Sequence, residues 1–132
     1  MKEDITIPKV TGVKLAIVHE YNSDFKLYDW NAYLINEKNT ALEMVLIVSA
    51  GFNKKDKTAT MRHKIANLPA NSVAKIEFIQ EEVLKLNNSF KVTFFAENQL
   101  FEKNFLIKKN TVKVSTAKEL TLFNGSKGFI FE

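Results

Sequence analysis

Residues 30–52 read WNAYLINEKNTALEMVLIVSAGF. Within them, Leu42-Glu43-Met44-Val45-Leu46-Ile47-Val48 is the most apolar run of the chain. It is too short for a membrane-spanning helix, which needs about 20 apolar residues. Its β-branched residues, and the polar Glu37-Lys38-Asn39-Thr40 before it, predict a strand rather than a buried helix. Alternation along a strand puts Leu42, Met44, Leu46 and Val48 on one face, and Val45 and Ile47 with Glu43 and Ser49 on the other. The stretch Trp30–Asn36 has the same two-faced character, with Trp30, Ala32 and Leu34 against Tyr33 and Ile35. The segment therefore predicts a central hairpin whose strands are covered on both sides. With the loop at Glu37–Thr40, Trp30 shares a face with Val45 and Ile47. With Asn36 drawn into the loop, it shares one with Met44 and Leu46. A slip of one residue exchanges the faces, and both registers fit the sequence.

Outward from this segment the pattern stays that of strands and turns. Upstream, Ile5-Thr6-Ile7 reads as a short edge strand closed by Pro8. Gly12 then opens a strand over Val13–Tyr21, with Val13, Leu15, Ile17, His19 and Tyr21 on one face and Lys14 and Glu20 on the other. Asn22-Ser23-Asp24 is a turn, and Phe25 to Asp29 leads into the central segment. Downstream, Asn53–Lys57 is a solvated loop. Thr58–Ile65 is a strand, with Thr60, Arg62 and Lys64 on one side and Ala59, Met61, His63 and Ile65 on the other. After the break at Asn67–Ser72, Val73–Ile79 alternates with Ala74, Ile76 and Phe78 inward. Gln80–Asn88 has room for one short helical turn, too short to stand alone.

Ser89–Ile107 predicts a second hairpin. A turn at Asn98-Gln99 sets Phe94 opposite Lys103 and Val92 opposite Phe105, gathers the aromatics on one face, and leaves Phe95 and Leu100 outside it. Val112–Val114, Leu120–Phe123 and Phe129–Phe131 follow as short strands, the last after the turn Asn124–Gly128. Turns at such spacing predict an all-β chain of about eight strands, an immunoglobulin-like two-layer antiparallel sandwich without the Cys pair of true immunoglobulin domains.

Composition narrows the function classes. The chain has 132 residues, the size of one domain, and no boundary, repeat or linker divides it. There are 11 Phe against 4 Gly and 2 Pro, which excludes a low-complexity chain. The absence of cysteine removes disulfides, thiolate chemistry and Cys-ligated zinc. Met1–Pro8 carries acidic residues where a signal peptide has an apolar core, so a cytoplasmic protein is expected. The net charge of +4 rests on 19 Lys and Arg, of which only Arg62 is arginine. A lysine surface favours solubility, whereas base and phosphate recognition draws on the arginine fork. Nucleic acid is therefore a disfavoured partner, and no membrane is expected as one.

No motif calls for a cofactor, a metal or a catalytic group. His19 precedes Glu20 but has no second His four residues on, and a lone His beside Ile17 and Tyr21 reads as a packed residue. Glu81 and Glu82 are sequence neighbours and point apart, unlike the facing carboxylates of glycoside hydrolysis. Asn124-Gly125-Ser126-Lys127-Gly128 lacks the phosphate-loop pattern and a following helix, and no G-x-S-x-G elbow occurs. Two surfaces remain. One is an anion strip of Lys54, Lys55, Lys57, Arg62 and Lys64, for which the bland alternative is an edge strand whose charges block unwanted pairing. The other is an apolar patch of Tyr33, Ile35, Val45 and Ile47, or with Trp30 in place of the first two in the other register, on the second face of the central strands, open to a protein partner or a second copy. Its bland alternative is cover from within, by Phe25–Tyr28 or Phe129–Phe131. The chain thus reads as a non-enzymatic interaction or structural module, with a homodimer as one form. Anion binding, and an enzyme of unrecognised mechanism, are the alternatives.

The runs Trp30–Asn36 (WNAYLIN), Thr60–Lys64 (TMRHK) and Leu68–Ser72 (LPANS) resemble short uncharacterised proteins of Bacteroidetes-type bacteria. The likeness extends over nearly the whole chain. That group implies no established function. Some of its members carry a phenylalanyl-tRNA synthetase alpha-subunit label. The label does not transfer, because an all-β domain of this size has no room for the ATP-binding core of a synthetase.

Overall fold

Trp30–Asn36 and Leu42–Phe52 are both strands, but they do not pair with each other. The computed structural model describes residues 10–132, and the edge strand expected at Ile5–Ile7 lies outside them. The described residues form nine strands: β1 (Val13–Asn22), β2 (Leu27–Asn36), β3 (Leu42–Phe52), β4 (Met61–Leu68), β5 (Ser72–Ile79), β6 (Asn87–Ala96), β7 (Gln99–Ile107), β8 (Lys118–Glu119) and β9 (Lys127–Phe131). They make a two-layer antiparallel sandwich. One sheet has the order β5-β2-β1-β9-β8 and the other β4-β3-β6-β7.

The expected central hairpin is thus a crossing between sheets. Asn36, 1% exposed, holds the corner. Its amide donates to the carbonyls of Thr40 (3.0 Å), Leu68 (3.3 Å) and Pro69 (3.0 Å), and its side-chain oxygen accepts from the Lys38 amide. The physical gain is plain. Side by side, the two strands would have aimed their apolar faces the same way. In separate sheets, Trp30, Ala32 and Leu34 confront Val45 and Ile47 across the core, where the hydrophobic effect rewards their removal from water. Val13, Leu15 and Ile17 of β1 complete one wall, and Phe90, Val92, Phe94, Phe105 and Ile107 the other.

Several expected faces move for identifiable reasons. Met44 has φ of +49° and forms a bulge between β3 and β6, so Leu42 joins Val45 and Ile47 in the core while Met44 itself is 71% exposed. A bulge resets alternation in this way. A second irregularity, between β2 and β5, leaves Ile76 as the extra residue. Ile76 and Ile79 face inward, and Phe78, expected there, is 51% exposed. The β6–β7 turn is Glu97-Asn98, with φ of +54° and +61°, not Asn98-Gln99. Two successive left-handed residues suit a tight hairpin turn. Phe94 therefore faces Phe101 and Val92 faces Lys103. The shift is an even number of residues, so the aromatic face is kept, and Phe95 and Leu100 stay outside it.

The helical turn expected at 80–88 is the 3-10 turn Val83–Lys85, which drops Leu84 into the core. Two further 3-10 turns replace expected strands, at Val114–Thr116 and Thr121–Phe123. The latter brings Phe123, with Leu120, onto the outer face of the five-stranded sheet. There they seal Ala16, Val18, Tyr33 and Ile35 into a second small core. Gly128 makes this possible: a Cβ there would stand 2.4 Å from the Ile17 carbonyl oxygen and 3.0 Å from Leu120.

Candidate interaction surface

The β1–β2 ladder is longer than the layer that covers it. Its register runs from Val13–Asn36 at one end to Asn22–Leu27 at the other. Leu15, Ile17, Ala32 and Leu34 are fully buried in the core. Trp30, 3% exposed, is the last residue under cover, beside Leu84 and Val112. Beyond it the inner face of the sheet continues with nothing above it, and it is aromatic. His19 stacks on Tyr28, with ring centroids 4.8 Å apart and planes 13° apart, and leans on Trp30 at 4.6 Å. Tyr21 meets Tyr28 edge-on at 5.4 Å. Such offset and edge-on geometries are the favourable ones for aromatic pairs.

The tip is held by a local turn. The Asn22 side-chain oxygen accepts from the backbone amides of Asp24 (3.0 Å) and Phe25 (3.3 Å), and Lys26 takes φ of +55°. This fixes Phe25 at the apex, where it is 74% exposed, next to Leu27 at 50%, Tyr28 at 60% and Tyr21 at 56%. A concavity of about 550 Å3 lies between His19, Tyr21 and Tyr28 on one side and Val114, Ser126 and Lys127 on the other. Partial burial lowers the pKa of His19 below 6.5, only partly opposed by Glu81 and Asp29, and so favours the neutral ring in the stack. Large apolar groups gathered at one exposed place mark contact sites, and Tyr in particular supplies contact area at low entropic cost.

The sequence-predicted patch of Tyr33, Ile35, Val45 and Ile47 is a correction, because the four residues do not share a surface. Val45 and Ile47 lie inside the main core, at 1% and 0% exposed. Ile35 and Tyr33 lie under the small outer cover, with the Tyr33 ring 4.7 Å from that of Phe123. Cover from within is therefore the outcome: Leu120 and Phe123 cover Tyr33 and Ile35, and Phe129 and Phe131, from one of the expected covers, pack against the core that holds Val45 and Ile47. Phe25–Tyr28, one of the expected covers, is instead the most exposed apolar stretch of the hairpin.

The anion-strip residues lie on the other sheet. Arg62 and Lys64 project from β4, its edge strand, opposite the half-buried Val48 and Leu46 of β3. Lysine and arginine stems shield apolar side chains of this kind while their charges stay in water. Lys54, Lys55 and Lys57 belong to the loop after β3, which Asn53 ties by accepting from the amides of Lys55 and Asp56.

One polar cluster had no signal in the sequence, since its members come from three strands. Glu77 of β5 reaches across the open edge between the sheets. Its Oε1 accepts from Ser49 Oγ at 2.7 Å and lies 2.8 Å from His63 Nε2. A cavity of about 350 Å3 adjoins it, lined by Gly51, Thr58, Met61 and Phe78 among others. The order of groups matters. In a nucleophilic triad the histidine stands between hydroxyl and acid so that it can take the hydroxyl proton. Here the acid stands between the other two.

No protein-family model matches the chain, and no curated protein matches it. Among the described residues, no helix is long and apolar enough to cross a membrane.

Proposed function

We propose that this protein is a non-catalytic β-sandwich module that works through protein contact, and that the contact is made by the overhanging aromatic end of the β1–β2 hairpin. The observation that carries this reading is the continuation of a core-type face past its cover, ending in Tyr21 and Tyr28 with Phe25 at the apex, each more than half exposed. Aromatic residues are the side chains that dominate protein–protein contact energies. The acid-centred arrangement of Ser49, Glu77 and His63 supports the non-catalytic part of the reading. A cytoplasmic setting belongs to the same proposal.

The test is site-directed photo-crosslinking in source cells. Phe25 is replaced by a benzophenone amino acid, with Lys91 on the far face replaced in the same way as a control. A discrete protein adduct from position 25 and none from position 91 is expected; an adduct to a second copy identifies a homodimer. Equal yields at the two positions, or none at either, overturns the proposal.

Anion binding through Lys54, Lys55, Lys57, Arg62 and Lys64 is the second reading. It is favoured by the exposure of all five and by the absence of an ion pair to any of them among the described residues. Retention on heparin that falls steeply with salt would support it, and no retention at low salt would remove it.

A further inference from the structure

The other face of the same overhanging hairpin is acidic, and it holds an anomaly. Glu20 and Asp29 are direct cross-strand partners. Like charges in that position repel, yet neither forms an ion pair with another described residue. The neutral donors nearby reach only one oxygen of each carboxylate. Glu20 Oε1 accepts both Asn31 Nδ2 at 2.9 Å and Tyr33 Oη at 2.6 Å. Asp29 Oδ2 accepts Asn22 Nδ2 at 3.0 Å. Two buried oxygens then remain with no partner, Asp29 Oδ1 and Asn31 Oδ1. Asn31 is only 5% exposed, and its amide is fixed in orientation by the donation to Glu20. Both orphan atoms are acceptors, so whatever satisfies them is a donor or a cation. A buried group without a partner is costly and calls for an unseen one.

We propose that Glu20, Asp29 and Asn31 form a site for one hard divalent cation, with Ca2+ the best fit. Two carboxylates and an amide carbonyl are oxygen donors of the kind Ca2+ takes, and its irregular coordination tolerates ligands set by a twisted ladder, where Mg2+ demands a near-ideal octahedron. Among the described residues no three His, Cys, Asp or Glu side chains are grouped to hold a metal; the third protein donor here is the Asn31 carbonyl. The concavity over the cluster, about 290 Å3, leaves room for the waters that complete the shell. Lys75, exposed at its rim, is the one basic side chain lining it. The cation would tie β1 to β2 at the overhanging end. This inference is independent of the proposed protein contact, which uses the opposite face.

The test is calorimetric titration of CaCl2 into the full chain after removal of metals with EDTA, with amide NMR shifts read in parallel. Saturable one-to-one binding is expected, with Kd of roughly 10⁻⁴–10⁻³ M, the range of Ca2+ sites with few charged ligands. Shifts should centre on Glu20, Asp29 and Asn31, and MgCl2 should bind at least about tenfold more weakly. Asn31→Leu keeps both carboxylates but removes the orphan carbonyl, and should weaken Ca2+ binding about tenfold or more. Asp29→Asn, nearly isosteric, should do the same and guards against a folding defect in the first variant. The proposal is overturned by no saturable binding at millimolar CaCl2, by binding that both variants leave intact, or by shifts that centre elsewhere. An unchanged affinity with MgCl2 overturns the choice of Ca2+. Orphan oxygens satisfied instead by Lys75 would show as Ca2+ binding that appears only in Lys75→Ala, which also overturns it.

Discussion

The two halves of the β1–β2 ladder follow one pattern and meet opposite fates. In the half from Val13 to Ile17 and from Trp30 to Asn36, the inner face packs on the second sheet, and much of the outer face packs under Leu120 and Phe123. In the half from Glu20 to Asp29 neither face is covered. The inner face ends in Tyr21 and Tyr28, and the outer face in a carboxylate pair. Alternation of side chains is thus satisfied by burial in one half and left open in the other. Strands that need only to fold do not require the second half, and it is there that the structure gathers its unspent chemistry.

The sharpest way to break this comparison is to truncate one residue in each half on the same strand face. Ile17 is fully buried and Tyr21, four residues on, is 56% exposed. Ile17→Ala removes core volume that the rigid sandwich cannot refill, and should cost about 4 kcal/mol. Tyr21→Ala should change stability by no more than about 0.5 kcal/mol. Urea unfolding of both variants measures this directly. Similar losses from the two would mean that the overhanging half is covered after all, by an occupant absent from the structure.

The outer cover should rank next. Phe123 is 8% exposed and closes the small core over Tyr33 and Ile35. Phe123→Ala should cost about 3 kcal/mol, the lower end for a buried Phe. Chemical denaturation with Tyr fluorescence reports it, because Tyr33 would gain solvent. That phenol is pushed up in pKa by burial first and then by its hydrogen bond to Glu20. Loss of the cover should bring it back toward 10, read by absorbance titration of the variant against the wild-type protein.

Gly128 sharpens the same boundary from the other side. A methyl group at that position would press on the Ile17 carbonyl, which is backbone and cannot swing away. Gly128→Ala should cost about 2 kcal/mol through overpacking, with amide shifts spreading into both β1 and Leu120. A neutral outcome would show that β9 can slide away from β1 without harm.

What the residues revealed in advance divides along physical lines. Strand positions rested on local alternation, and β1, β2, β3, β6 and β7 were legible for that reason. Pairing was not legible, because Trp30–Asn36 and Leu42–Val48 look equally well matched as neighbours in a sheet and as opposite walls of a core; the partners that β2 takes are β1 and β5, and β5, like the Leu68 and Pro69 to which Asn36 bonds, lies far along the chain. Bulges were hidden for a related reason. Met44 takes a left-handed φ without being Gly or Asn, so no turn residue announces it. The aromatic surface was half visible: His19 and Tyr21 were placed on one face, but that the cover stops at Trp30 depends on the lengths of strands in the other sheet. The cluster of Glu20, Asp29 and Asn31 arises from register across a turn, and the acid-centred Ser49–Glu77–His63 group from three strands. Neither leaves a motif.

The smallest effect concerns His19, at the seam between the covered and the open half. Its folded-state pKa is lowered by partial burial against Tyr28 and Trp30. Above pH 6.5 the ring is neutral in both folded and unfolded chains and makes no pH-dependent contribution. As the pH falls below 6.5 the unfolded chain binds the proton first, so stability is lost through that window and levels off below the folded pKa. The wild-type protein should therefore lose unfolding free energy relative to His19→Gln as the pH falls below 6.5, by about a few tenths of a kcal/mol for a ring still partly in water. Comparison with His19→Gln isolates the contribution of this one ring. A difference that does not change with pH would mean that the ring is as well solvated as in the unfolded chain. A difference of the opposite sign would mean that Asp29 and Glu81 outweigh burial, and that the seam belongs electrostatically to the acidic face of the hairpin.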